Sequence, residues 1–176
     1  MSSINQRPLK FEPLERRTLL AASVVASVVD GTLVVEGTEQ ADALEVAAAR
    51  GGAYTLSALN DETTINGQPK VTLDGVTNGV RVQLDPEGTD DERAADEIRL
   101  RGHESLEPQP LELATGPGAD RVDIVDFGIS RLRIDNTSGG DRVVVADSSA
   151  ASVAIDNRTD TGSAQLLRTD GGLDKA

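Results

Sequence analysis

Gly118-Ala119-Asp120-Arg121-Val122-Asp123-Ile124 returns as Gly139-Gly140-Asp141-Arg142-Val143-Val144-Val145, 21 residues later from Asp120 to Asp141. The agreement extends outward at the same spacing. Leu111 and Leu113 map onto Leu132 and Ile134, and those map onto Val153 and Ile155. A worn third copy places Gly162 at the Asp position, with Ala164 and Leu166 at the apolar ones. Looser echoes lie upstream, in Ala41-Asp42-Ala43-Leu44-Glu45-Val46 and Ala95-Asp96-Glu97-Ile98-Arg99-Leu100. A fixed period in this range marks a repeat architecture, in which each unit buries its apolar face only by stacking on its neighbours.

Within each unit the apolar residues alternate with period two, which is the demand of a half-buried strand. Val122 and Ile124 point one way; Arg121 and Asp123 point the other. Turn-forming clusters separate the runs: Thr115-Gly116-Pro117-Gly118, Asn136-Thr137-Ser138-Gly139-Gly140, Asn157-Arg158-Thr159-Asp160 and Asp170-Gly171-Gly172. No stretch carries a helical stripe. Extended chain of this repeat length has a contour of roughly 70 Å, enough for one turn of a narrow coil. The expected fold is therefore all-β, a parallel β-solenoid with coils of about 21 residues. Val122 would lie over Val143 and Ala164, and Ile124 over Val145 and Leu166. The composition is 38% hydrophobic but only 2% aromatic, without Trp or Cys, which suits a thin interior with no room for large rings.

The alternative is an antiparallel β-sandwich, which also has short strands at close spacing. The first half of the chain accommodates it. Strand candidates there are Thr32 to Val35, Leu44 to Val46, Tyr54 to Ala58, Thr63 to Ile65, Val71 to Leu73 and Val80 to Leu84. Their spacing is uneven, and Ile65-Asn66-Gly67-Gln68 reads as a tight hairpin turn. A sandwich does not account for the repeat held in register across successive copies.

The expected organisation is a targeting segment over residues 1–30, a repeat domain over 31–170 and a disordered tail over 171–176. The first segment holds Arg7, Lys10, Arg16 and Arg17, then the apolar run Leu19-Leu20-Ala21-Ala22-Ser23-Val24-Val25-Ala26-Ser27-Val28-Val29. A basic stretch before a short apolar run resembles a secretory signal, with Val24-Val25-Ala26 as a candidate cleavage site. The same run also reads as a first strand over Ser23 to Val29.

Phe11-Glu12-Pro13-Leu14-Glu15-Arg16-Arg17-Thr18-Leu19-Leu20-Ala21 resembles the N-terminal LEPR-XLL motif of planctomycete extracellular and surface proteins. Gly31-Thr32-Leu33-Val34-Val35-Glu36-Gly37-Thr38 and the following Ala41 to Val46 are similar to the opening of haemolysin-type, repeats-in-toxin-like segments in that family. The resemblance implies an exported protein with a β-roll or β-helix body, and it implies no reaction. The chain departs from the calcium-binding repeat: Thr115 stands where the first Gly belongs in Thr115 to Asp123, and no copy is followed by another after about nine residues.

The charge is −13, from 30 acidic and 17 basic residues. This argues against nucleic acid as a partner and against anionic membrane surfaces. No segment is long and apolar enough for a transmembrane span. Thiol chemistry and thiolate zinc sites are excluded by the absence of Cys. The single His, His103, sits beside Glu104 in a loop and reads as a solvated residue. Neither a phosphate-cradling glycine loop nor a nucleophile elbow occurs.

The candidate metal ligands are Asp120 and Asp141, which stack on adjacent coils. Two ionised carboxylates so placed repel, and Ca²⁺ would relieve this with oxygen ligands; the competing reading is that each Asp bonds nearby backbone N–H groups. Asp135 over Asp156 and Asn136 over Asn157 should stack likewise. The function expected is a non-catalytic, exported structural or adhesion-like β-repeat protein, with an unknown surface protein or polysaccharide as partner. The alternative is a small carbohydrate-active β-helix protein resembling a polysaccharide lyase, for which Arg99, Arg121, Arg133 and Arg142 are the candidate basic residues.

Overall fold

A computed structural model of the chain describes residues 22–85, 95–103, 107–157 and 167–169. They form fifteen strands in two sheets. In chain order these are β1 (Ala22–Val29), β2 (Thr32–Glu36), β3 (Ala43–Ala48), β4 (Tyr54–Ala58), β5 (Thr63–Ile65), β6 (Lys70–Leu73), β7 (Gly79–Gln83), β8 (Glu97–Arg101), β9 (Gln109–Pro117), β10 (Arg121–Val125), β11 (Gly128–Ser138), β12 (Arg142–Ala146), β13 (Ser149–Ala150), β14 (Val153–Asn157) and β15 (Leu167–Thr169). One sheet runs β13-β11-β9-β7-β2-β1-β5, with β14 also on β11; the other runs β15-β12-β10-β8-β3-β4-β6. The only helical turn among the described residues is a 3₁₀ turn over Arg50–Gly52.

The fold is all-β, and both sheets are mixed. The pairs β1/β2, β3/β4 and β4/β6 are antiparallel, while the remaining strand pairs are parallel. From β7 to β13 the chain alternates between the sheets. The repeat spacing of the sequence appears directly in the pairing. Arg121, Val122, Asp123 and Ile124 face Arg142, Val143, Val144 and Val145 on the neighbouring parallel strand. In the other sheet Leu111 faces Leu132, and Leu132 faces Val153. Asp135 pairs with Asp156 and Asn136 with Asn157. In-register parallel pairing puts like residues on the same face, so one period-two pattern fills the core at every step.

The upstream echoes join the same stack. Leu44 faces Ile98, and Ile98 faces Val122. Between them the chain inserts β4, β5, β6 and β7, so the repeat spacing is broken in sequence and restored in space. Beyond β12 the spacing changes again. Val145 faces Arg168 rather than Leu166, so the expected register of the third copy is corrected by two residues; Ala164 and Leu166 lie outside the described residues. A slip of two preserves which face each residue presents.

The two sheets enclose one continuous core. Val24, Leu33, Val80, Leu111, Leu132 and Ile134 enter it from one side, and Leu44, Ile98, Leu100, Val122, Ile124 and Val143 from the other, all buried. Val145 is partly buried against it, and the side chain of Ile155 lies outside the described set. The expectation that the interior has no room for rings is corrected: Tyr54 and Phe127 are both buried. They sit at strand ends, Tyr54 as the first residue of β4 and Phe127 between β10 and β11, where the layer is closed by turns. The Tyr54 hydroxyl reaches Gln109 Oε1 at 3.2 Å, and burial pushes its pKa up to about 12.

The run Ser23 to Val29 is the first strand. Val24 and Ala26 face the core, and β1 pairs with both β2 and β5. Asn66 in the β5 turn clamps it: the Ala26 N–H donates to Asn66 Oδ1 at 2.9 Å, and Asn66 Nδ2 donates to the Ala26 carbonyl at 2.8 Å. Asn66 and Gly67 have φ of 51° and 75°, the pair of left-handed residues that a two-residue hairpin turn requires. Residues 1–21 and the tail 171–176 lie outside the described residues.

Candidate functional site

Four strands of one sheet begin immediately after a buried aspartate: Asp42 before β3, Asp96 before β8, Asp120 before β10 and Asp141 before β12. Because these strands are parallel neighbours in register, the four aspartates form a column. Asp96, Asp120 and Asp141 each accept the backbone N–H of the aspartate before it. Asp42 N donates to Asp96 Oδ1 at 2.8 Å, Asp96 N to Asp120 Oδ1 at 2.9 Å, and Asp120 N to Asp141 Oδ1 at 3.2 Å. The column closes at Asp42, whose Oδ2 accepts the Thr38 N–H at 2.8 Å. Carbonyl bonds run alongside: Glu97 N to Asp42 O, Arg121 N to Asp96 O, and Arg142 N to Asp120 O, each 2.8 Å. The side chain thus supplies an acceptor for an N–H at the point where the chain bends into the strand and the regular ladder has not begun.

The electrostatics follow from burial. Asp96 is pushed up to about 8, chiefly because burial disfavours its charged form; the Asp42 N–H opposes this, and repulsion from Asp120, Asp42 and Asp85 adds to it. Asp42 rises to about 6 through burial, opposed by the Thr38 hydrogen bonds. Asp120 also rises to about 6 through burial, opposed by the Asp96 N–H and the Thr115 hydroxyl, with repulsion from Asp141 and Asp85. Of these three carboxyls, Asp96 is the one whose burial most favours the neutral acid. Protons therefore supply part of the charge relief that a cation would otherwise have to provide.

Asp120 and Asp141 are brought together as the repeat requires. The column also contains Asp42 and Asp96, which belong to it through the Ala-Asp pairs of the looser echoes. Among the described residues no group of three or more His, Cys, Asp or Glu side chains is placed to hold a metal ion. His103 is half-buried in the loop after β8, and Glu104 lies outside the described residues.

The outer face of the same sheet carries a second feature. Arg99, Arg101, Arg121 and Arg142 line a shallow depression of about 430 Å³ with Asp123, floored by Val125 and Val144. Arg121 and Arg142 occupy directly paired positions on β10 and β12. Arg99 bonds Glu97 at 2.7 Å, Arg101 bonds Glu45 at 2.8 Å and Arg121 bonds Asp123 at 2.8 Å. Arg133 is not part of this group. It lies on β11 in the other sheet, 3.5 Å from Asp135.

No helix of the described residues is long and apolar enough to cross a membrane. No family model matches the chain, and no curated protein or solved structure matches it.

Proposed function

We propose that the chain is an exported, non-catalytic structural or interaction protein whose body is a two-faced β-solenoid with coils of about 21 residues. The observation that carries this reading is the in-register stacking of the sequence repeats. Residues at the repeat spacing pair in parallel in both sheets, so each unit adds the same strip of surface to each face. Such a body serves as a spacer or a presenting surface, because its length grows by repetition and its faces keep one chemistry along their length. The resemblance of Phe11 to Ala21 to the LEPR-XLL motif supports export. Weak Ca²⁺ binding at Asp120 and Asp141 belongs to the same proposal, in competition with protons at the column.

The reading is tested by expressing the full chain in a host that carries the cognate export machinery, then fractionating the cells and measuring the N-terminal mass. Export predicts protein at the surface or in the medium with residues removed upstream of β1. An intact chain confined to the cytoplasm would refute it.

One observation favours the second reading, a carbohydrate-active protein: Arg99, Arg121, Arg142 and Asp123 surround one depression. A lyase acting there would release unsaturated sugars from a polyuronate, read by ultraviolet absorbance. No absorbance increase over a long incubation with concentrated protein removes the lyase and leaves the interaction role.

A further inference from the structure

Against a chain charge of −13, the outer face of β8, β10 and β12 is the reverse. Around the depression stand four arginines and the three carboxylates that bind them, Glu45, Glu97 and Asp123. The excess cation is Arg142. Its row reads Glu97, Arg121, Arg142 across the three strands. Glu97 balances Arg121 from one side, whereas Arg142 is exposed and has no ion pair among the described residues. Like charges directly opposite on neighbouring strands destabilise a sheet. Here two are held side by side at the strand spacing; half-buried Val144 follows in the next row, beside Asp123, and half-buried Val125 in the row after it, beside Arg101.

We infer that this depression binds an acidic polysaccharide that carries a carboxylate on its sugars, with Arg121 and Arg142 as the carboxylate clamp. A guanidinium presents a planar fork that matches a carboxylate, and a carboxylate placed between two of them relieves their repulsion. Val125 and Val144 offer an apolar floor for the C–H face of a sugar ring. A chain of sugars laid across the strands meets a new strand about every 4.8 Å, so successive units face successive repeats. Nucleic acid fits less well. Its denser charge is repelled by the rest of the chain, and the face has no aromatic ring on which a base could stack. The inference gives a partner to the interaction role proposed above, but it depends on that reading only for where the two would meet. Binding is measured with purified protein, so its failure and a failure of export are separate results.

The test is a titration of the full-length protein onto immobilised polygalacturonate, with dextran as the neutral polymer and a short DNA duplex as a second polyanion. Binding to polygalacturonate should weaken steeply between about 50 and 200 mM salt. Arg142→Ala and Arg121→Ala should each weaken it about tenfold or more, because a charge-assisted hydrogen bond is lost. Arg142→Lys should recover only part, since it keeps the charge without the fork. Arg81→Ala, on the other sheet and paired with Glu112, should leave binding unchanged. Equal melting temperatures across the variants show that the fold is intact; Arg142→Glu serves if a truncation disturbs it. The inference is overturned by no binding at low salt, by binding that ignores Arg121 and Arg142, by equal binding to dextran, or by equally tight DNA binding through the same arginines.

Discussion

The backbone N–H of Asp96 donates to Oδ1 of Asp120 across two parallel strands, at 2.9 Å. The bond joins residues 24 apart in sequence, and it is the middle of the three rungs that join Asp42 to Asp141. Each rung replaces a backbone acceptor that the bend before the strand removes. The column therefore ties successive repeats together at the edge of the core, where apolar packing ends.

Stability should fall as pH rises. The folded-state pKa values of Asp96, about 8, and of Asp42 and Asp120, about 6, lie above the ordinary 3.8. Between these limits the native state holds more protons than the unfolded chain, so each pH increment favours unfolding. The contribution is fully present below the unfolded value and is lost as pH passes the folded ones. Thermal melts should show a maximum near pH 4 to 5 or so and a steady decline to about pH 9. Asp96→Asn should flatten the upper part of the decline. A melting temperature that climbs from pH 5 to pH 9 would contradict the assignment.

Asp120→Ala and Asp120→Asn should behave differently. Alanine leaves the buried Asp96 N–H without its acceptor, at a cost of about 1–3 kcal/mol. Asparagine keeps a carbonyl oxygen in place of Oδ1 and removes the charge that burial penalises. At pH 8 it should be neutral or stabilising. Urea unfolding at that pH reads both; equal losses for the two variants would show that the acceptor is not what matters.

Calcium should act only when the column is ionised. A carboxylate must lose its proton before it ligates a cation, and Asp96 and Asp120 hold theirs well above the usual range. Millimolar Ca²⁺ should raise the melting temperature at pH 8.5 or so and leave it unchanged near pH 5.5. Asp120→Asn should abolish the response. No shift at the higher pH with about 10 mM Ca²⁺ would reduce the aspartates to structural acceptors.

Processing of the N-terminus should occur before Ala22. A cut after Ala26 would remove Val24, which is fully buried, and both hydrogen bonds that Asn66 makes to Ala26. Relative to a chain starting at Ala22, which keeps these contacts, one starting at Ser27 should lose several kcal/mol through the cavity and the exposed pairing edge of β5. Equal melting of the two would place β1 outside the cooperative unit.

Much of the arrangement was legible in the sequence where repeats are adjacent. Val122 and Val143 share a period-two phase and a fixed spacing, which favours stacking in register, and they pair directly on parallel strands. The Asn66-Gly67 turn was legible because two left-handed residues leave the chain few options. The column was only half legible. Asp120 and Asp141 are one repeat apart, but the insertion of β4 to β7 separates Asp42 from Asp96 by 54 residues, which hides their kinship from any periodicity. Alternation alone does not give the direction of pairing, so the antiparallel β1/β2 and β3/β4 pairs were not separable from parallel ones. The clustering of Arg99, Arg121 and Arg142, without Arg133, depends on which sheet each strand joins.

Gly139 and Gly140 are neighbours with opposite requirements. Gly139 has φ of +119°, and a Cβ there would collide with the Gly118 carbonyl oxygen of the preceding repeat. Gly139→Ala therefore combines a left-handed strain with a backbone clash, and it should cost more than about 1 kcal/mol. Gly140 has nothing within 4 Å of its would-be Cβ. It also stands where the other three repeats carry Ala41, Ala95 and Ala119, each directly before its column aspartate. Gly140→Ala should stabilise by about 0.4–1 kcal/mol, because it reduces the freedom of the unfolded chain without native strain. Chemical denaturation of the two variants checks both signs at once. A loss in Gly140→Ala comparable to that in Gly139→Ala would mean that the turn before β12 does not follow the geometry of the turns before β3, β8 and β10.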